Sequence, residues 1–223
     1  MRRGLLLLAA ASVSSGIHPA YAHRTELQAE LVVQQKPSWC WAATASMALK
    51  FLGFPDINPA RNYQCGVVAA AFPNCEDDCT KCDMTLEGMP SFVNLLERYR
   101  DRTRHASTSF QPYYLPNPDF RRIKQSIDLH YPVIVGVSAD EKPTDPALAE
   151  HAVLITGYDD DHLGTGEPWV VVLDPYPYRR GENPWANAGF AAARARGPVL
   201  VPWSFMQERM NLSSAVFLQK ATA

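Results

Sequence analysis

The spacing of apolar and polar positions changes character about halfway along this chain. The run WCWAATASMALKFL over 39–52 is apolar on nearly every side and rich in alanine, and Gly53 and Pro55 close it. That pattern predicts a buried helix with Ser38 as its N-cap. A second helix is expected over 59–71, with Pro59 in its first turn. A third is expected over 85–100, where Phe92, Leu95, Leu96 and Tyr99 fall at helical spacing. Residues 101–118 are polar, then rich in proline and tyrosine, and read as a long loop with room for one strand. Asn117 and Pro118 open a fourth helix carrying Phe120, Ile123 and Ile127 on one side.

Further on, the periodicity becomes that of short buried strands. PVIVGVS (132–138), HAVLITGY (151–158) and WVVVLDP (169–175) are three of them. VLVPWSF (199–205) and AVFLQ (215–219) read as later strands. Asp159, Asp160, Asp161 and the glycines at 164 and 166 fit the turn between the second and third strands. Helices first and strands second argue an α+β fold, with a helical layer packed on a mostly antiparallel β-sheet. The helical part covers about 38–130 and the sheet part about 131–223. With 47% hydrophobic residues the chain can build one sizeable core, and a net charge of -2 offers no basic face for nucleic acid.

Residues 1–22, MRRGLLLLAAASVSSGIHPAYA, stand outside this pattern. Two arginines, a short apolar run and an Ala-Tyr-Ala end are the three regions of a cleavable secretory signal peptide. The apolar run is too short to span a bilayer, and no cysteine stands near it for a lipid anchor. A secreted or periplasmic domain over 23–223, without stable membrane association, is therefore expected. Arg2 and Arg3 alone are weak support for twin-arginine export.

Export changes how the five cysteines read. Cys65, Cys75, Cys79 and Cys82 cluster, while Cys40 stands apart. In an oxidising compartment the cluster suggests two disulfides stapling a loop, in preference to a zinc site, with three pairings open. The odd cysteine is then a free thiol. Cys40 lies at the expected start of the first helix, where unpaired N–H groups and the helix dipole favour a thiolate.

A thiolate nucleophile also wants an imidazole. His23, His105, His130, His151 and His162 are the candidates beyond the leader. His151 is preferred because it begins a strand that would hold it rigidly. His162 reads as a solvated turn residue, and His130 as a residue near a helix end. Asp174, at the end of the next strand, is placed to orient the imidazole, although an aspartate before proline is also an ordinary turn residue. The backbone N–H of Cys40, with a side-chain amide from Gln34 or Gln35, would supply oxyanion donors. The proline-rich stretches 111–118 and 175–184 are candidates for a cleft rim.

QQKPSWCWAA, the His151-led strand and the Asp174-Pro175 turn together resemble the papain-like cysteine peptidases, on the bacterial AvrRpt2-type and C39-like branch. The resemblance implies Cys40 as nucleophile, His151 as general base and acid, Asp174 as orienter, and Gln34 completing the oxyanion hole with Gln35 as fallback. It implies a protein or peptide substrate and no cofactor or metal. The sequence also departs from the wider family. The C-G-[SA]-C-[WY] signature is absent, and the 111 positions from Cys40 to His151 fall short of roughly 130–150. Glu150 stands before His151 where a small residue is usual. Two other readings fit the same residues: a cell-wall peptide amidase or acyltransferase with this triad, or a non-catalytic disulfide-stapled binding module.

Overall fold

A computed structural model describes residues 24–103, 110–138, 151–190 and 196–220. The leader at 1–22, and His23, His105 and Glu150, lie outside these residues.

Three helices come first: α1 (Cys40–Phe51), α2 (Tyr63–Ala71) and α3 (Pro90–Thr103). Alanines 42, 43, 45 and 48 of α1 are buried, and such small side chains let the helix lie close on the sheet. Gly53, at φ +78°, ends the helix. The N–H groups of Gly53 and Phe54 donate to the carbonyls of Lys50 and Leu49. The helix starts differ from expectation: the third helix begins at Pro90 instead of 85, and the fourth at Phe120, capped by Asp119 instead of opened by Asn117 and Pro118. Ser38 is not the cap of α1; Trp39 holds that position and makes no side-chain capping bond. Pro59 lies outside α2, which begins at Tyr63 because the Asn62 side chain accepts from the Cys65 N–H. Asparagine competes well for that role, and proline carries no such acceptor.

The sheet contains β1 (Arg24–Glu26), β2 (Phe110–Pro116), β3 (Val133–Val137), β4 (His151–Asp159), β5 (Trp169–Leu173), β6 (Val199–Pro202) and β7 (Ser214–Lys220). Its order is β2-β7-β3-β4-β5-β6, with β1 also paired to β4, and every pairing among the described residues is antiparallel. β5 occupies the other edge of β4, so β1 continues the row begun by β3. The backbones come very close there: a Cβ at Gly157 would lie 2.5 Å from the Thr25 carbonyl oxygen.

Both faces of the sheet are covered, which explains why the strands read as unbroken apolar runs. Trp39, Met47, Leu49, Leu96 and Tyr99 form one core with Ile134, Leu154 and Val216. On the other side Val133, Val135, Val153, Ile155 and Val172 pack against α4 (Phe120–Asp128), α5 (Pro184–Asn187) and α6 (Trp203–Glu208). The stretch 199–205 is thus only half strand: Trp203 and Phe205 belong to α6, which starts after Pro202. α+β, with a helical layer on an antiparallel sheet, is the observed class. No helix among the described residues is long and apolar enough to cross a membrane.

The four clustered cysteines form the disulfides Cys65–Cys79 and Cys75–Cys82, leaving Cys40 as the free thiol.

Candidate active site

Cys40 is the first residue of α1, and α1 begins without a side-chain cap. The first intrahelical bond there runs from the Ala43 N–H to the Trp39 carbonyl, so the preceding N–H groups have no helical acceptor. The backbone N–H groups of Ala152 and Trp41 help to favour the ionised Cys40 thiol. One turn along, the Thr44 hydroxyl donates to the Ala152 carbonyl across 2.9 Å. That bond docks the start of α1 against the start of β4, where His151 stands.

His151 is 4% exposed. Its Nε2 lies 2.7 Å from Oδ1 of Asp174. Tyr176 sets its ring edge-on to the imidazole, with centroids 6.0 Å apart. The other ring nitrogen, Nδ1, is buried and makes no hydrogen bond, and the Cys40 thiol is the neighbour with which the ring interacts. Asp174 follows directly on β5. Its Oδ1 also accepts the Tyr176 N–H at 2.8 Å, closing a turn that Pro175 makes rigid. Its Oδ2 accepts the Tyr178 hydroxyl and the Trp185 indole N–H, each at 2.8 Å.

The charges follow from this packing. Burial raises the Cys40 thiol, but the neighbouring His151 and the N–H groups outweigh it, and the thiol lies below its ordinary value. Burial alone would depress His151; Asp174, then Cys40, raise it instead, to about 10. Burial likewise opposes ionisation of Asp174, yet the imidazole and the donors around it hold the carboxyl below its usual range. The arrangement favours a thiolate beside an imidazolium, with a buried carboxylate behind the ring.

The structure therefore brings together Cys40, His151 and Asp174. Gln34 lies beside them: its backbone N–H donates to the Pro175 carbonyl at 2.9 Å. Its side-chain Nε2 donates to the carbonyls of Lys36 and Pro37, while Oε1 is buried without a partner. Gln35 points elsewhere. Its Oε1 accepts from Asn62, and it lines a surface pocket with Lys50, Arg61 and Gln64. His162 pairs with Asp159 in the turn after β4, and His130 sits just beyond α4 at φ +64°. The rim candidate 111–116 is β2, three strands away from β4, whereas Tyr176 and Tyr178 of the other candidate stretch reach the site. Sequence reasoning missed the donors Tyr178 and Trp185. Their only signal was the density of aromatic residues following Asp174.

Residues 26–193 match the sequence profile of the Peptidase_C39 like family. The chain belongs to that family. A C39-like peptidase from Bacillus anthracis has a similar structure, with a TM-score of 0.51 at 12% identity, over 90% of this chain and 100% of that one. That likeness is one of fold. A double-glycine motif protease from an AMS/PCAT transporter, solved with its leader peptide, gives a TM-score of 0.48 at 11% identity, over 88% of this chain and 95% of that one. A search of curated proteins returns no match. Within the C39-like family, a peptidase reading rests on this membership.

Proposed function

We propose that this C39-like protein is a secreted or periplasmic cysteine peptidase that hydrolyses peptide or isopeptide bonds through Cys40, His151 and Asp174. The supporting observation is the pairing of the two ring nitrogens of His151. Nε2 is bonded to a buried carboxylate at 2.7 Å, and Nδ1 is left for the thiol. The motif WCWAA is the reason to group the chain with the AvrRpt2-type branch.

In this reading His151 takes the Cys40 proton and the ion pair forms before substrate binds. The thiolate attacks the scissile carbonyl carbon, and the carbonyl oxygen becomes an oxyanion. The Cys40 N–H and the Gln34 amide stabilise it; for the latter, Nε2 releases one of its two carbonyls as the substrate enters. His151, as imidazolium, donates its proton to the departing amine, leaving a thioester. Water then gives a proton to His151 and attacks the thioester carbonyl, releasing acid and restoring the Cys40 thiolate beside the His151 imidazolium. Asp174 stays ionised throughout and fixes the ring.

The test is an activity-based thiol probe applied to purified protein near neutral pH, followed by mapping of the modified residue. Label on Cys40, lost in H151A, is expected. C40A should fold and lose turnover by roughly 10⁴-fold or more. Parent-rate cleavage by C40A would overturn the assignment. Activity on cell-wall fragments with none on unfolded protein would instead indicate an amidase.

A further inference from the structure

The disulfide-stapled loop carries three consecutive residues that grip the nucleophile's own neighbours. The Cys82 carbonyl accepts the Trp39 indole N–H at 2.7 Å. The Asp83 carboxylate accepts the Ser38 backbone N–H at 3.3 Å. The Met84 carbonyl accepts the Trp41 indole N–H at 3.0 Å. Three of the four residues 38–41 are thus bonded to 82–84, and the one between them that is not is Cys40. Trp39 and Trp41 are 1% and 3% exposed, so neither indole has water as an alternative acceptor.

The loop is itself anchored. Cys82 is bonded to Cys75, and Cys79 in the same loop is bonded to Cys65 of α2. The start of α1 has no side-chain cap, so nothing in the helix's own sequence fixes its first turn. Beyond the packing of its buried face, the Thr44 bond to β4 holds it on one side and the loop holds it on the other.

Building on the cysteine-nucleophile reading, we infer that Trp39 and Trp41 are positioning residues, and that the Cys75–Cys82 loop is the clamp through which they hold Cys40 against His151. The geometry gives the reason. A Cys40 thiolate is stabilised by the His151 ring and by the Ala152 and Trp41 N–H groups, and these interactions fall off steeply when the helix start shifts by a fraction of an ångström. The loop acts on the sulfur through its flanking residues, by the two indoles and by the Ser38 N–H. Loss of the clamp therefore changes how readily Cys40 ionises, as well as how stable the fold is.

W41F and W39F keep an aromatic ring but remove the indole N–H and some buried volume, a loss of volume that the W203F control shares. The readout is the rate of Cys40 alkylation by iodoacetamide as a function of pH, with kcat and KM for a peptide substrate measured in parallel. Each variant should raise the pH midpoint of alkylation and lower kcat about threefold to tenfold, the effect of one lost hydrogen bond, with KM little changed. The double variant C75S/C82S should show the larger shift. W203F removes a buried indole from the opposite core and serves as the control; it should lower the melting temperature without moving the midpoint.

Unchanged midpoints and kcat in W39F and W41F would overturn the clamp, as would a shift in W203F as large as theirs. The serine double variant adds to this where it folds, and the phenylalanine variants decide the matter where it does not. If Cys40 of the parent protein alkylates only at the pH of an ordinary thiol, the nucleophile reading fails first, and that outcome is distinct from either of the others.

Discussion

The two sides of the His151 ring are built differently. On the Asp174 side both carboxylate oxygens are satisfied, by His151 and the Tyr176 N–H at one and by Tyr178 and Trp185 at the other. On the other side His151 Nδ1 has no hydrogen-bond partner and the Cys40 thiol is its neighbour; Gln34 Oε1, elsewhere by the site, is also buried without one. Buried polar groups normally find partners, and the cost of leaving one unmade is about 1–3 kcal/mol. The fold thus saturates the carboxylate side of the ring and leaves the other nitrogen with only the thiol beside it. On the proposed mechanism, orientation is completed in advance and the proton exchanged with Cys40 is left free to move.

The comparison is broken most severely by removing the carboxylate. D174A strips the ring of its anchor and leaves Tyr178 and Trp185 with buried donors. Turnover should fall on the order of 10²–10⁴-fold, measured as kcat on a peptide substrate. D174N loses the charge and turns an amide N–H towards the Tyr178 and Trp185 donors, so its turnover should fall by a comparable factor.

Q34A tests the other residue with an unpaired buried atom. If Gln34 supplies an oxyanion donor, kcat drops about 10²-fold with KM nearly unchanged. A change confined to melting temperature would limit Gln34 to bracing the Lys36 and Pro37 carbonyls.

The pH profile joins the two sides. On the proposed mechanism the active form needs thiolate and imidazolium together. The thiol lies below its ordinary 9.0 and the imidazole above its ordinary 6.5, at about 10, so the ion pair persists through neutral pH. Activity should fall as the pH drops through the lowered value and the thiolate is protonated. It should fall again as the pH rises towards about 10 and the imidazolium loses its proton. These limbs belong to the pair and not to either residue. Measuring kcat/KM from about pH 4 to about pH 10.5 checks both, and D174A should bring the alkaline limb down because the carboxylate is what raises the ring.

Y178F and W185F are the mildest changes. Each removes one donor from Oδ2 of an ionised carboxylate, worth about 1.5–3 kcal/mol of stability by denaturant unfolding, with only a few-fold loss of kcat. Equal losses in kcat and in stability would mean that these side chains do more than hold Asp174.

Much of this site was legible because its chemistry is tied to strong local patterns. A cysteine opening an alanine-rich run, a histidine opening an apolar strand and an Asp-Pro closing another each sit at an element boundary that sequence marks well. Ser38 misled because capping preference names a residue type, while the chain before α1 is bent by the Trp39 N–H bonding to the Lys36 carbonyl, and the Ser38 N–H is taken by Asp83. The stretch 203–205 misled because a short apolar run has no period long enough to separate strand from helix. β1 and α5 are three and four residues long, too short for any period to register. Tyr178, Trp185 and the 82–84 loop could not be placed at all. Their roles depend on contacts across irregular backbone, where spacing carries no information about partners.

The near-contact at Gly157 has a practical side. Arg24 pairs with Asp159, eight residues along β4 from His151, or about 26 Å at the usual strand rise. An affinity tag or carrier fused ahead of that arginine would thus join the domain at the far end of the strand from the imidazole, and purification through it need not crowd the cleft. Any side chain introduced at 157 would instead push that joining point off the sheet.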